Sequence, residues 1–413
     1  MKIAIATAVY FPMINGVAVF SHNLAVGLAQ RGHEVMVLCP SQTGKAHTEM
    51  IDGVKTVYLR SIDAKIYPDQ VHDVPKKRQL FYKHGFRVSP FAGGEIKRAL
   101  DEFQPDVVHV QVSDPIGLSV VSYARKYGIP VVTTEHNQPE VLTEPLHVPG
   151  MVRRPINKIL NAYFVRRQNK SDFVMMPTKQ AIMNLLDGRG FKVPVAAVSN
   201  GVDLSHFKPG KATSALYRKY GVPEGAPVVL YVGRMDPEKK VGVVVEAFAK
   251  FLKDNKVDRL SKTCLVVVGD GVDKKRLEKL CKERGLDGNV KFLGRIVPPD
   301  LYEIYKMGDV FATASEIETQ GIVLIEAAAS GLPLIAVDAG AVGEVCINGK
   351  NGVLCRPGDT SGIAEAMGKI LLDEDLRRKF SEASVKIAHE HDFEKTLDQF
   401  INIYNKVIRD KNS

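Results

Sequence analysis

The nine residues Glu318-Thr319-Gln320-Gly321-Ile322-Val323-Leu324-Ile325-Glu326 indicate most about the fold and chemistry of this 413-residue chain. They place two carboxylates eight residues apart around a glycine, and the apolar run continues through residues 327–329. If Gly321 opens a helix, the unbonded N–H groups of its first turn form an anion site, and the helix macrodipole adds about half a positive charge. Eight residues at about 100° each bring Glu326 to within about 80° of Glu318 around the helix axis.

The two carboxylates are therefore predicted to flank a phosphate site. Glu318 would lie in the loop before the helix, and Glu326 on the helix two turns later. One carboxylate could then hold a sugar and the other a ribose, with a diphosphate between them. The alternative is an ordinary amphipathic helix that carries two solvated glutamates.

Short runs rich in β-branched residues alternate with helical stretches along the whole chain. The first series of predicted strands comprises residues 2–9, 35–38, 54–59, 107–110, 131–134 and 173–176. The second series comprises residues 195–198, 228–232, 263–268, 290–293, 310–312, 334–337 and 352–355. This alternation predicts an α/β protein with two doubly wound, Rossmann-like parallel-sheet domains. Ligands of such sheets bind beyond the carboxyl ends of the strands, so a cleft between the domains is expected to hold the site.

Composition excludes several other classes of protein. A hydrophobic content of 45% and a charged content of 25% are typical of globular domains, and no apolar run approaches the roughly 18 residues that a membrane span needs. The N-terminus has a short apolar run without a small-residue cleavage site, so we interpret it as a first strand rather than a signal peptide. The five cysteines are scattered, which favours buried thiols in a reducing, cytoplasmic compartment.

Charged residues follow the predicted strand at 228–232. Arg234 and Lys239 stand just beyond a strand end, where they can neutralise the charge of a diphosphate. Lys240 is an alternative ligand, because a shift of one residue would bring it to the same place. Gly269-Asp270-Gly271 also follows a strand and is predicted to form the turn under a nucleotide.

Two features of the N-terminal half complete the candidate site. Gly16 belongs to a loop between the first strand and a helix predicted to begin near Phe20, and backbone N–H groups approach phosphate where no side chain intervenes. His136 follows the strand at 131–134 directly and could hydrogen-bond a sugar or orient an acceptor. His109, inside a predicted strand, is interpreted as structural.

The stretch SEIETQGIVLIEAAASGLP at residues 315–333 resembles the E-x7-E motif of retaining glycosyltransferases of family 4. This family also carries G-R-x-x-x-E-K at the position of residues 233–239 and a histidine at the position of His136. The resemblance implies a GT-B fold with an acceptor-side domain at 1–197, a nucleotide-sugar domain at 198–390, and a C-terminal helix at 391–413 that packs back on the first domain.

The resemblance also implies roles for individual residues. Glu318 would hold sugar hydroxyls, Glu326 the ribose, and His136 the sugar and acceptor side. Gly16 would close over the donor from the opposite domain. The diphosphate would be bound by Arg234 and Lys239 together with the donor loop, which comprises Thr319, Gln320, Gly321, Ile322 and Val323.

No metal or other cofactor is expected. Asp373-Glu374-Asp375 has the D-x-D pattern of metal-dependent transferases, but it lies far from any predicted strand end and is interpreted as a helix start. With Arg234 and Lys239 available for the phosphate charge, no divalent ion is required.

The acceptor is predicted from charge. Residues 1–200 contain 24 Lys and Arg against 16 Asp and Glu, and segments 76–87 and 153–170 mix cations with aromatic residues. Such segments are typical of peripheral contact with anionic lipid, although a solvated loop and an ordinary surface helix are the alternative. Neither segment carries a nucleic-acid-binding pattern, so no nucleic acid partner is expected.

The sequence around Glu318 looks most like enzymes that glycosylate diacylglycerol or phosphoinositide lipids. The predicted function is transfer of a hexose from a donor of the UDP-glucose or GDP-mannose type to a membrane lipid, forming an α-glycoside at the inner face of the cell membrane. The alternatives are a soluble family-4 transferase acting on a sugar, sugar phosphate or small metabolite, and a nucleotide-sugar epimerase of the same fold. The base, the sugar and the oligomeric state stay open.

Overall fold

Parallel strands and helices alternate along the chain, which confirms the predicted α/β class with two Rossmann-like sheets. The computed structural model describes residues 1–11, 13, 16–63, 87–111, 114–136, 150–185, 190–255 and 258–413. The chain divides into two compact units, of which the first comprises Met1–Asn200 with Thr396–Ser413 and the second Gly201–Lys395.

The first unit contains strands β1 (Lys2–Ala6), β2 (Glu34–Pro40), β3 (His47–Ile51), β4 (Val54–Leu59), β5 (Ile62–Asp63), β6 (Arg87–Val88), β7 (Val107–Val110), β8 (Val131–Thr134), β9 (Phe173–Met176) and β10 (Val195–Ala197). Eight of them form one sheet in the order β10-β9-β8-β7-β1-β2-β4-β3, and β5 pairs with β6. Residues 195–198 were predicted to belong to the second series of strands. This prediction was wrong, because β10 pairs in parallel with β9 and belongs to the first sheet. The antiparallel edge strand β3 was not predicted, since its residues are mostly exposed and polar.

The second unit contains β11 (Val228–Val232), β12 (Cys264–Val268), β13 (Val290–Gly294), β14 (Val310–Ala312), β15 (Leu334–Val337) and β16 (Gly352–Cys355). They form a parallel sheet in the order β13-β12-β11-β14-β15-β16. Val229 and Tyr231 of β11 pack into one apolar cluster, whereas Val228 and Leu230 pack into another. Both faces of the sheet are therefore covered, which explains why its strands are continuously apolar.

Helices connect the strands of both sheets. In chain order they are α1 (Gly16–Gln30), α2 (Gly93–Phe103), α3 (Pro115–Tyr127), α4 (Gly150–Gln168), α5 (Lys179–Asn184), α6 (Ser214–Tyr220), α7 (Val241–Asp254), α8 (Asp258–Ser261), α9 (Lys274–Glu283), α10 (Asp300–Tyr305), α11 (Ile322–Ala329), α12 (Thr360–Leu372), α13 (Glu374–Ala388) and α14 (Phe393–Asn412). Asp373 caps α13 by accepting a hydrogen bond of 2.9 Å from the Leu376 N–H, so this aspartate marks a helix start as predicted.

The C-terminal helix α14 belongs largely to the first unit. Its residues Phe400 and Tyr404 are fully buried, and a hydrogen bond of 2.7 Å joins the Tyr404 hydroxyl to Nδ1 of His109 on β7. Before this helix the chain pairs with the start of the second unit, since the Val202 N–H donates to the His391 carbonyl at 2.8 Å. The two places where the chain passes between units are therefore neighbours.

The basic segments differ in how far the structure describes them. Residues 76–86 of the first lie outside the described residues, whereas the backbone of 153–170 is described. Arg87 does not belong to an exposed basic surface, because it is buried and donates to the Ser61 hydroxyl at 2.8 Å. No helix in the described part of the chain is long and apolar enough to cross a membrane.

Two phenylalanines that differ in burial should differ in how much they contribute to the free energy of unfolding. Phe248 on α7 is fully buried, whereas Phe91 is 87% exposed. Phe248→Ala should lower the free energy of unfolding of the second unit by about 3–5 kcal/mol, since it removes buried apolar area and leaves a cavity. Phe91→Ala should change stability by less than about 0.5 kcal/mol. Denaturant unfolding of both variants measures this, and equal losses would contradict the described core.

Candidate active site

The donor loop has the predicted backbone form. Glu318 lies in the loop after β14, and α11 begins at Ile322 directly after Gly321. Gly321 has φ 76° and ψ 57°, in the left-handed region where a side chain is unfavourable. A Cβ at this position would also meet Cδ1 of Leu324 at 2.9 Å. The Ile322 and Val323 N–H groups have no acceptor within α11, whereas the Leu324 N–H donates to the Gly321 carbonyl at 2.9 Å. The first two N–H groups of this helix can therefore bind an anion.

The remaining donor-loop residues contribute main chain rather than exposed side chains. Gln320 is 2% exposed, and the side chains of Ile322 and Val323 pack against the apolar cluster below α11. Thr319 precedes them in the same loop. The side chains of Ile322 and Val323 therefore serve packing, while their backbone N–H groups belong to the first turn of α11.

Lys239 and Glu318 meet in the structure although 79 residues separate them in sequence. Nζ of Lys239 lies 2.8 Å from Oε1 of Glu318, and the two side chains are only 18% and 15% exposed. Lys239 reaches this position from a short 3-10 turn, Pro237–Lys239, which follows β11. Each charge neutralises the other, which is required when two ionised groups are mostly withdrawn from water.

Arg234 and Lys240 have different partners. Arg234 is 48% exposed and pairs with Glu238 at 2.7 Å and with Asp236. Nζ of Lys240 lies 3.9 Å from Oε1 of Glu316, and its side chain is 42% exposed. Lys239 is therefore the cation that the structure brings to Glu318, while Arg234 is held by the acids of its own loop.

Gly233 and Gly269 allow the loop that contains Arg234 to pack tightly on the turn at residues 269–271. A Cβ on Gly269 would lie 1.9 Å from the carbonyl oxygen of Gly233, and Gly269 has φ 129°. The Met235 N–H donates to the Asp270 carbonyl at 2.9 Å, which holds the two loops together. Sequence reasoning predicted the turn but missed this contact, because a backbone-to-backbone approach leaves only the presence of glycine as a signal.

Glu326 lies on α11 and accepts a hydrogen bond of 2.6 Å from the Tyr305 hydroxyl at its Oε2. Burial raises the pKa of Glu326 to about 7, although the hydrogen bond from Tyr305 acts in the opposite direction. Tyr305 was not predicted as a site residue. It lies on α10, 21 residues before Glu326, and no motif signals it.

Gly16 and His136 lie in the first unit. Helix α1 begins at Gly16 itself, so the prediction of a helix starting near Phe20 was wrong by about one turn. Residues 12, 14 and 15 of the preceding loop lie outside the described residues. Gly16 is exposed, with open space where a Cβ would point.

His136 follows β8 and is 8% exposed. Its Nε2–H donates to the Gln111 side-chain oxygen at 2.7 Å, and its ring lies against Phe20 with centroids 5.2 Å apart. Burial lowers the pKa of His136 to about 4. The imidazole is therefore neutral at physiological pH and acts as a hydrogen-bonding group rather than as a proton-carrying acid.

The raised pKa of Glu326 predicts a pH dependence of stability. The folded chain holds the proton more tightly than the unfolded one, whose glutamate has a pKa near 4.5. The contribution of this group to stability should thus be highest below pH 4.5 and fall as pH rises through about 7. Glu326→Gln should remove that decline. The thermal unfolding midpoint of the variant, measured relative to that of the wild type, should therefore rise between pH 5 and pH 8. Glu283→Gln, at a site 53% exposed, is the control, and an unchanged pH profile in Glu326→Gln would refute the burial argument.

Comparison with known proteins supports the assignment of both halves. The family model "Glycosyltransferase Family 4" matches residues 14–206, and "Glycosyl transferases group 1" matches residues 214–386. N-acetyl-alpha-D-glucosaminyl L-malate synthase of Bacillus anthracis is 27% identical over 99% of this chain and 98% of its own length. Alpha-monoglucosyldiacylglycerol synthase of Streptococcus pneumoniae is 29% identical over 81% of this chain and 71% of its own.

Solved structures agree on the fold. The Anabaena protein HepE in complex with UDP and glucose superposes with a TM-score of 0.72 at 19% identity, covering 98% of this chain and 100% of that one. Together, the two family models match nearly all of the chain between residues 14 and 386. The chain therefore belongs to the family-4 glycosyltransferases of GT-B fold and is a hexosyltransferase.

Proposed function

We propose that this enzyme transfers a hexose from a nucleotide-diphospho-sugar to a membrane lipid such as diacylglycerol, with retention and without a metal ion. The ion pair of Lys239 with Glu318, in the loop that leads to the N-terminus of α11, carries the donor half of this proposal. The lipid acceptor is supported by the similarity to the diacylglycerol glucosyltransferase and by the exposed face of α4.

The ion pair suggests how the donor is bound. A diphosphate at the start of α11 would replace Glu318 as the partner of Lys239, and the helix N–H groups would share its charge. Glu318 would then be free to accept hydrogen bonds from the sugar hydroxyls. This exchange of partners leaves no mostly buried charge alone at any stage. Arg234 is the second cation of the same loop and would complete the neutralisation of the leaving group.

Glu326 is assigned to the ribose. Tyr305 occupies one carboxylate oxygen, and the other can accept from a ribose hydroxyl. The neutral His136, whose Nε2–H donates to Gln111, would accept a hydrogen bond at Nδ1 on the sugar and acceptor side. Gly16 would allow backbone approach to the donor. Because both motif carboxylates are used in binding, we favour transfer on the face of the leaving group, which retains the α configuration.

The positive charge that the leaving group needs comes from Lys239, Arg234 and the N-terminus of α11. These groups are the reason for proposing a metal-independent reaction. The donor is of the UDP-glucose or GDP-mannose type, and the structural similarity to a protein bound to UDP and glucose supports the nucleotide-sugar class.

The membrane half of the proposal depends on α4. Ile159 is 70% exposed and Tyr163 42% exposed on this helix, with the Arg167 guanidinium 4.9 Å from the Tyr163 ring centroid. Exposed cations on the same helix are Arg154, Lys158 and Arg166. Apolar residues between cations suit the interface of an anionic membrane, so we propose a peripheral enzyme of glycolipid biosynthesis at the inner face of the cell membrane.

A soluble acceptor is the second candidate. The malate-glycosylating relative matches this chain over nearly the full length of both proteins, more completely than the lipid-glycosylating one. A small anionic metabolite would then bind where the first proposal puts a lipid headgroup. The acceptor assay below separates the two.

The ion pair predicts that Lys239, rather than Lys240, supports transfer. Lys239→Met should lower kcat/KM for the nucleotide sugar by about a hundred- to a thousandfold, the range typical of losing a charge-stabilising group. Lys240→Met, which alters only the 3.9 Å contact with Glu316, should change it less than about threefold. Glu318→Gln should mainly lower kcat, since a contact to the reacting sugar matters most in the transition state. If Lys240→Met lost more activity than Lys239→Met, Lys240 rather than Lys239 would be the phosphate ligand.

The acceptor is tested by supplying radiolabelled UDP-glucose, UDP-galactose and GDP-mannose in parallel, without added metal. One series contains vesicles of diacylglycerol and anionic phospholipid, and the other contains L-malate. Label in the organic phase is expected from one donor. A new glycoside that forms only with malate would replace the lipid acceptor by a soluble one. Turnover of the donor without any acceptor product would favour the epimerase alternative.

The vesicle series includes a variant of the α4 face. Its three substitutions to serine are at Arg154, Lys158 and Arg166. At about 1 kcal/mol for each cation, vesicle binding should weaken about a hundredfold. A control variant replaces three exposed lysines of the second unit by serine, at Lys253, Lys279 and Lys282. Equal binding of both variants would exclude α4 as the membrane contact.

A further inference from the structure

We infer that Gln111 is a positioning residue for His136, and that the C-terminal helix holds Gln111 in place through Tyr404 and His109. This inference rests on the proposed role of His136 at the sugar and acceptor side. Under this inference the C-terminal helix α14 contributes to the reaction through these contacts.

The contact between Gln111 and His136 follows from sheet topology. Gln111 comes directly after β7, and His136 comes two residues after the end of β8, which pairs with β7 in parallel. The Gln111 N–H donates to the Ala6 carbonyl at 2.8 Å, so its backbone continues the sheet. Its side-chain oxygen lies 2.7 Å from Nε2 of His136, and Gln111 is fully buried.

This hydrogen bond selects one tautomer of the imidazole. An amide oxygen only accepts, so Nε2 of the neutral His136 must carry the proton. The ring is further confined by the edge contact with Phe20 on α1. With the proton and the ring plane both determined, Nδ1 of His136 is a hydrogen-bond acceptor of fixed orientation.

Gln111 in turn lies against His109. Its amide nitrogen is 3.4 Å from Nδ1 and 3.5 Å from Nε2 of that imidazole. His109 is held at both ring nitrogens, with Nε2 at 2.8 Å from the Thr134 hydroxyl and Nδ1 at 2.7 Å from the Tyr404 hydroxyl. Burial and the neighbouring His136 lower the pKa of His109 to about 3, so both rings are neutral.

The chain of contacts therefore runs from Tyr404 through His109 and Gln111 to His136. Tyr404, His109, Thr134 and Gln111 are fully buried, whereas His136 at the end of the chain retains 8% exposure. Apolar side chains of similar size would fill the same space without the cost of desolvating four polar groups. A buried polar chain that ends at the imidazole of His136, which alone among these five side chains keeps some exposure, is better explained by positioning that imidazole than by stability.

The test compares Gln111→Leu with Gln180→Leu, a control at an exposed glutamine on α5. Gln111→Leu should lower kcat for hexose transfer by about ten- to a hundredfold, the range found for partners that orient metal-bound histidines. The dissociation constant for free nucleoside diphosphate should not change, because Lys239, Glu318 and Glu326 belong to the other unit. A folded Gln111→Leu variant with wild-type kcat would overturn the inference.

A spectroscopic readout is independent of turnover. Nitrogen-15 NMR of labelled histidine should find His136 as the neutral Nε2–H tautomer from pH 6 to pH 8 in the wild type, and as a mixture in Gln111→Leu. Tyr404→Phe keeps the ring packed and should lower kcat in the same direction by a smaller factor. A wild-type His136 that carries its proton on Nδ1 would overturn the inference. If the wild type transfers no hexose to any acceptor, the proposed function is refuted. The NMR result would still test whether Gln111 determines the tautomer of His136.

Discussion

Coverage of both faces of a parallel sheet is the constraint on which the rest of this molecule depends. A parallel strand has no exposed face, so β1, β7, β11 and β12 are almost entirely apolar, and each must be followed by a helix that returns the chain. The parallel strands of each sheet then end at the same edge, and polar residues that follow them are gathered there. His136 and Gln111 after β8 and β7, and Arg234 after β11, stand at such ends for this reason.

The loops around Lys239 in the second unit combine close backbone packing with paired charges. The contact of Gly233 with Gly269 allows two loops to lie against each other without side chains between them. On this base, Lys239 pairs with Glu318, Lys240 with Glu316, and Arg234 with Glu238. Each cation thus has a carboxylate partner before any phosphate is bound. In the proposed function, binding an anionic donor would be an exchange of partners, which costs less desolvation than placing the ligand against buried lone charges.

The first unit offers neutral hydrogen-bonding groups instead. Burial keeps His109 and His136 uncharged, and their partners Gln111, Thr134 and Tyr404 are neutral as well. If His136 has the proposed role beside the sugar, a neutral imidazole suits a reaction in which the developing charges lie on the leaving group and the sugar ring. The basic character of this half lies elsewhere, on surfaces such as the exposed side of α4.

Local features were predictable from the sequence by itself. Apolar runs predicted most strands, Gly321 predicted the start of α11, and His136 was placed correctly at the end of β8, because these features depend on neighbours in sequence. The start of α1 and the sheet of β10 were wrong, since both depend on pairing decided elsewhere in the chain. Only the tertiary structure decided that Lys239 faces Glu318, that Tyr305 binds Glu326 and that Tyr404 reaches His109. Such contacts join residues that are 21 to 295 positions apart. A contact between two individual side chains that folding brings together leaves no periodic pattern in the sequence.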